Sequence, residues 1–291
     1  MTIPLRVHLT KDSRPMKPPD HGIHYQPVKE SLDRFVSRSV RLKGLFFRLL
    51  DLYLLRTWHI HRELRSFLRE AGPRPRVLDA GCGLGQYSWY LARKCPRAQI
   101  AAVDINEACI RSASRFFLQA GYANVECRTA DLVTYRQSEL FDLVLAVDVM
   151  EHIADDDQVF QNIHQSLAPG GVLLISTPSD KGGSGVPRGE EGPSFIREHV
   201  RNGYSMEEMK RKLAGSGFDR VEARYTYGTP GGISWILLMK LPFRLLNRSK
   251  AFFMFLPLYL MAVYPVCFIL NWLDLTLTHA EGTGLIVKAF K

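Results

Sequence analysis

Short apolar runs alternate with amphipathic stretches from residue 76 to residue 178, and this rhythm leaves few folds open to the chain. "RVLDAG", "AQIAAVDI", "VECRTAD", "FDLVLAVDV" and "GGVLLISTP" read as strands rich in Val, Leu, Ile and Ala. Between them, "QYSWYLARKC", "EACIRSASRFFLQAG" and a stretch ending near Leu167 carry helical periodicity. Such alternation builds βαβ units, in which strands lie parallel and helices cover both faces. The chain is therefore read as α/β, with a doubly wound and mostly parallel sheet. No repeat of solenoid period interrupts the pattern.

The first strand runs into "VLDAGCGLGQY", residues 77 to 87, with glycines at 81, 83 and 85. In a doubly wound sheet this turn lays backbone N–H groups and a helix N-terminus at the carboxyl edge of the sheet. Glycine lets a ligand approach that backbone closely. A pyrophosphate loop has the spacing G-x-G-x-x-G; here the third glycine comes one residue early. An acid, Asp79, also precedes the loop. A carboxylate there repels phosphate and suits an ammonium group. The amino-acid end of S-adenosylmethionine combines ammonium with carboxylate and fits the mixture. NAD is the alternative, since an acid at the end of the second strand, Asp104, suits the ribose of either ligand.

With the motifs that follow it, "VLDAGCGLG" resembles the first motif of class I S-adenosylmethionine-dependent methyltransferases. "AAVDIN", "CRTADL", "FDLVLAVDVMEHI" and "LAPGGVLLISTP" resemble the second to fifth motifs, in order, over about residues 74 to 180. "HVRNGYSMEEMKRKLAGSGF" continues the likeness more loosely. The resemblance implies a Rossmann-like sheet of seven strands. It implies that Asp79, Gly81, Cys82, Gly83 and Gly85 hold the amino-acid end of the methyl donor, with Cys82 a small packing residue. Asp104 would take the ribose hydroxyls with Ile105 beside it. Asp131 would accept from the adenine amino group, Leu132 would donate its backbone N–H, and Asp148 would touch the cofactor or its loop. "DVMEH" is similar to the ubiquinone-biosynthesis O-methyltransferases, where the matching residues can hold a divalent cation. Here they would be Asp148, Glu151 and His152, although many relatives with this motif need no metal, and none is expected. S-adenosylhomocysteine would be the product.

Methyl transfer from a sulfonium is an in-line displacement, so positioning supplies much of the rate. An oxygen or carbon acceptor also needs a base. His152 and His199 are the two candidate bases, with Glu151 and Tyr204 as further candidates at the acceptor side. Glu151 and His152 are expected on the first turn of the helix after the fourth strand. A capping box, Ser205 with Glu208, opens a helix just beyond His199, Arg201 and Tyr204.

Five segments are expected around this centre. Residues 1–27 form a polar, Pro-rich lead-in without a signal-peptide pattern. Residues 28–72 form a helical lid that includes the apolar run "LFFRLLDLYLLRTWHI", which could also lie on a membrane with its apolar face down and its arginines near headgroups. Residues 73–240 form the catalytic domain, with the Gly-rich loop 179–203 as a substrate lid. Residues 241–278 form a hydrophobic helical hairpin broken near Pro257 and Pro265, and 279–291 supply the final strand. Ala251 to Leu273 has no formal charge and is long enough to cross a bilayer. The return to a strand in the same domain favours a hairpin embedded from one side.

Charge sharpens this. The net charge of +9 is concentrated, with eleven Lys or Arg against three acids from Arg34 to Arg76. Four bases and no acid fall between Lys240 and Lys250. Such segments suit an anionic membrane surface. No recognisable nucleic-acid module or N-P-P-[YF] signature accompanies them, so nucleic acid is not expected as a partner. Five cysteines without a C-x-x-C pair suit a reducing compartment. The expectation is a cytoplasmic protein at the cytoplasmic face of a membrane. It would methylate a small hydrophobic acceptor: a quinone or polyprenyl compound, a lipid or a lipid-linked glycan. A soluble sugar or nucleic-acid substrate, and a non-catalytic scaffold, are the alternatives.

Overall fold

The computed structural model describes residues 39–182, 200–201, 203–249 and 251–291. One sheet of seven strands has the order β3-β2-β1-β4-β5-β7-β6. β1 (Arg76–Ala80), β2 (Gln99–Asp104), β3 (Val125–Thr129), β4 (Phe141–Val147) and β5 (Leu167–Pro178) run parallel. β6 (Arg220–Thr226) forms the far edge, and β7 (Gly284–Phe290) lies antiparallel between β5 and β6. The doubly wound, mostly parallel reading holds. The order reverses between β1 and β4, and the crevice beyond their carboxyl ends is where such sheets bind ligands.

The helices precede and separate these strands. α1 (Val40–Tyr53) and α2 (Leu55–Glu70) come first, then α3 (Gln86–Lys94), α4 (Glu107–Gln119), α5 (Asp156–Ser166) and α6 (Met206–Gly215). α7 (Thr229–Trp235), α8 (Leu241–Arg248) and α9 (Phe252–Thr276) lie between β6 and β7. Side-chain caps start several of them. Asn106 accepts from the N–H groups of Ala108 and Cys109 at the start of α4, and Ser205 accepts from Glu208 at the start of α6.

Strand residues alternate between two cores. Leu78, Val144 and Leu173 pack on one face with Phe160 and Ile163 of α5 and Met209 of α6. Val77, Ile100 and Leu145 pack on the other with Leu91 of α3 and with Ile60 and Leu64 of α2. α2 is thus part of the helical layer itself. α1 docks through Phe47, whose ring centroid lies 5.5 Å from Trp89 and 5.4 Å from Phe116. The turn between α1 and α2 falls at Leu54.

The segment between β6 and β7 leaves and re-enters the domain at one place. Thr283 N–H donates to the Tyr227 carbonyl, so the feet of the excursion touch. Its outward arm is α7, a π-helical turn (Ile236–Lys240) and α8; its return arm is α9. The Tyr259 hydroxyl donates to the Leu237 carbonyl at 2.8 Å, which ties the arms side by side. Two expectations are corrected. The excursion begins at Thr229, not near residue 241. The chain reverses between Arg248 and Phe252, and α9 runs unbroken for 25 residues through Pro257 and Pro265. Proline's fixed φ is compatible with a helix, and each ring deletes one i→i−4 donor. The rest of the ladder, fixed at both ends by Tyr259 and Asp274, carries the helix through.

α9 buries one narrow stripe, Cys267, Asn271 and Asp274, at helical spacing. Gly231 allows the close approach of α7: a Cβ there would lie 2.5 Å from Asp274 Oδ2. Elsewhere α9 is open, with 6% of its most apolar stretch buried.

Candidate active site

The glycine loop is clamped onto the end of β2. The N–H groups of Gly81 and Cys82 both donate to the Val103 carbonyl, at 2.8 and 2.9 Å. Gly81, Gly83 and Gly85 have φ of +75°, +54° and +88°. A Cβ at Gly81 would lie 2.3 Å from Val149 Cγ2, and one at Gly85 would lie 2.8 Å from Phe117. Glycine is required here by backbone sign and by packing together.

The acids expected at the cofactor take separate posts around this loop. Asp104 at the end of β2 accepts from Gly83 N–H through Oδ2 and from Asn106 N–H through Oδ1, both at 2.8 Å. Ile105 beside it is 71% exposed. Asp131 is exposed and accepts from Val133 N–H at 2.9 Å, while Leu132 is buried. Asp79 is buried behind the loop. Its Oδ2 accepts from the Ser88 hydroxyl at 2.5 Å and the Ser88 N–H at 3.1 Å. Burial drives its carboxyl up to about 6 against those bonds, and the nearby Asp104 charge adds to the rise. Burial also raises the Cys82 thiol far above its ordinary value, with Asp79 and Asp104 adding to the effect.

This donor set fits S-adenosylmethionine. Carboxylates suit an ammonium group and a ribose diol. The exposed Ile105 beside Asp104 offers an apolar rest for a flat ring. The same acids oppose a pyrophosphate, which argues against the NAD alternative.

Three elements meet at the end of β4, where the acceptor side is expected. Asp148 follows that strand with φ +51° and pairs with the Arg56 guanidinium from α2. Arg56 N–H donates to the Tyr227 hydroxyl at 2.9 Å. Tyr227, also left-handed at φ +55°, donates its own N–H to Asp274 of α9 at 3.1 Å. Two strained non-glycine residues therefore face one another across Arg56, and such strain gathers at functional sites. Nearby, Gln86 of α3 donates to Asp51 of α1 at 2.7 Å, which places the α1–α2 junction over the N-terminus of α3.

Glu151 and His152 do not open the next helix. They sit in a separate 3-10 turn (Met150–His152), and α5 begins at Asp156 under an Asp155 cap. Glu151 is buried and accepts from the Thr177 hydroxyl at 3.2 Å; burial raises its carboxyl. His152 is half-buried. The cation set that the resemblance allows, without favouring it, at Asp148, Glu151 and His152 is not assembled: Asp148 turns to Arg56 and Glu151 to Thr177. Among the described residues, no three His, Cys, Asp or Glu side chains form a metal-binding group.

Tyr204 takes a structural position instead of a place at the acceptor. It is fully buried, with its hydroxyl 2.9 Å from the Met150 carbonyl and 2.8 Å from Asp156 Oδ2. Arg201 and Lys212 also bind Asp156, so these side chains lock the turn after β4. His199 and most of the 179–203 loop lie outside the described residues, as does the 1–27 lead-in. Arg56 and Tyr227 are the site residues that the motifs missed. Arg56 is one of two arginines, with Arg48, in the apolar run 45–60, and nothing in that run singles it out.

The methyltransferase-domain family profile matches residues 73–222. A ubiquinone biosynthesis O-methyltransferase of Leptothrix cholodnii is 32% identical over 104 residues, 35% of this chain and 43% of that protein. A trans-aconitate 2-methyltransferase of Variovorax paradoxus is 33% identical over 107 residues, 36% of this chain and 39% of that protein. The matched stretches thus span less than half the length of these relatives. In fold, the chain is similar to phosphoethanolamine N-methyltransferase 2 of Haemonchus contortus, solved with S-adenosylmethionine. The TM-score is 0.55 at 20% identity, covering 84% of this chain and 60% of that one. With the glycine loop, the three acids and the strand order all in place, the chain belongs to the methyltransferase-domain family of class I S-adenosylmethionine-dependent enzymes.

Proposed function

We propose that the protein transfers a methyl group from S-adenosylmethionine to a hydrophobic or lipid-linked acceptor at the cytoplasmic face of a membrane. The observation that carries this is the position of the α7–α9 excursion. Its exposed apolar helix is long enough to enter a bilayer, and it is rooted at Tyr227 and Asp274 beside Arg56 and Asp148. An acceptor dissolved in the lipid would reach the site along this root.

S-adenosylmethionine supplies a methyl on a sulfonium and leaves as the thioether S-adenosylhomocysteine. Asp79 and the glycine loop hold the amino-acid end, Asp104 and Ile105 the ribose and base, and Asp131 and Leu132 the adenine edge. The α1–α2 junction over α3 shields this end from water. His152, in the turn after β4, takes the acceptor proton as the nucleophile attacks; His199 is its rival.

The test is incubation of the purified chain with methyl-labelled S-adenosylmethionine and a membrane-lipid extract. Label should enter the organic phase. Label confined to water-soluble acceptors would overturn the lipid reading and favour a sugar or nucleic-acid substrate. Calorimetric titration that finds no S-adenosylmethionine binding would favour a scaffold. His152→Ala should lower turnover about 10²–10⁴-fold with cofactor affinity kept.

A further inference from the structure

The outward face of α1 is also apolar. Leu42, Leu45, Leu49 and Leu52 recur every three or four residues and are 40–52% exposed. The opposite side of the helix is already used, with Lys43 and Phe47 buried. A helix packed on one face ordinarily turns polar residues to water on the other. Here the outer face is leucine, with the exposed Arg41 and Arg48 along one rim.

This stripe is continuous with the open surface of α9. The Tyr53 and Tyr264 rings lie 5.0 Å apart, and Trp58 and Phe268 lie 5.1 Å apart. The Tyr264 hydroxyl donates to the Leu52 carbonyl at 3.3 Å. The apolar side of α1 therefore runs directly into that of α9, where Val266 and Ile269 are exposed. Exposed Arg244 and Arg248 on α8 border the same excursion. Two copies joined through α1 would bring like-charged rims together, whereas anionic headgroups would pair with them.

Building on the membrane reading of α9, we infer that α1 is a second membrane contact. It lies in the plane of an anionic bilayer, with its leucines at the acyl boundary and Arg41 and Arg48 among the headgroups. The chain thus sits on the bilayer through two helices of different kinds, one embedded and one lying flat.

The experiment places an environment-sensitive fluorophore on the full chain at Leu45→Cys or Leu258→Cys, both exposed positions. Wild type treated alike gives the background from its native cysteines. Vesicles of phosphatidylcholine with phosphatidylserine are then added. The label at 45 should shift to the blue and brighten severalfold, and far less so with phosphatidylcholine alone. Arg41→Gln with Arg48→Gln should reduce partitioning into the anionic vesicles about tenfold. A response at 258 with none at 45 would overturn the role of α1 and leave that of α9 intact. Silence at both would overturn both. A response at 45 that rises with protein concentration in the absence of vesicles would assign the stripe to a second copy and overturn the inference.

Discussion

In its proposed place at the ammonium group of the methyl donor, Asp79 would couple cofactor affinity to pH. Its carboxyl is raised from 3.8 to about 6 by burial, so the ligand-free fold binds more protons than the unfolded chain between those values. Stability from this group is thus highest at low pH and declines as pH rises from about 4 to 6, by about 3 kcal/mol in all. An ammonium group needs the ionised form. S-adenosylhomocysteine affinity should fall below pH 6, by up to about tenfold per unit, and Asp79→Asn should remove that slope. Calorimetric titration from pH 5 to 8 checks both. Gly81→Ala should abolish binding and lower the melting temperature. The left-handed φ alone costs about 1–2 kcal/mol, and the new methyl would meet Val149. The end of β1 and the turn after it, which carry these two residues, were legible in the sequence, because the spacing of a loop and the acid before it are local facts. Arg56 was not. Its partner Asp148 lies on another element, and nothing local to Arg56 names it.

Single contacts decide how whole elements are seated. α1 holds to the domain through Phe47 in the Trp89–Phe116 cluster. Phe47→Ala should cost about 3–5 kcal/mol and be read as lost amide protection along α1 and at the start of α3. α9 is seated by Asp274, which accepts from His59 Nε2 at 2.9 Å and from the N–H groups of Tyr227 and Gly231. Asp274→Ala should cost about 3 kcal/mol or more. Hydrogen exchange should then rise at Tyr227 and along α7, with the β1–β4 sheet unaffected. Neither seat is visible in the helical pattern. Periodicity shows that a face is apolar and not what covers it.

The whole molecule is a methyltransferase domain with a helical excursion that begins and ends at one point. Since Tyr227 and Thr283 already touch, replacement of residues 229–278 by a short flexible linker should leave the sheet able to form. The product should be soluble and bind S-adenosylhomocysteine, whereas the full chain should stay with membranes through a carbonate wash. A wild type released by the wash would contradict the embedded helix.

The sequence by itself determined the strand–helix alternation, the glycine turn after β1 with its acids, and the long uncharged stretch. All three are written in neighbouring residues, through side-chain periodicity and the steric demands of glycine. Tertiary structure alone decided that β7 enters between β5 and β6, that α9 stays helical across its prolines, and that Tyr204 is a buried tie rather than an acceptor contact. It also decided that Arg56, Tyr227 and Asp274 meet at the end of β4. Those outcomes rest on pairings between residues far apart in the chain, and their energies appear only when the elements close on one another.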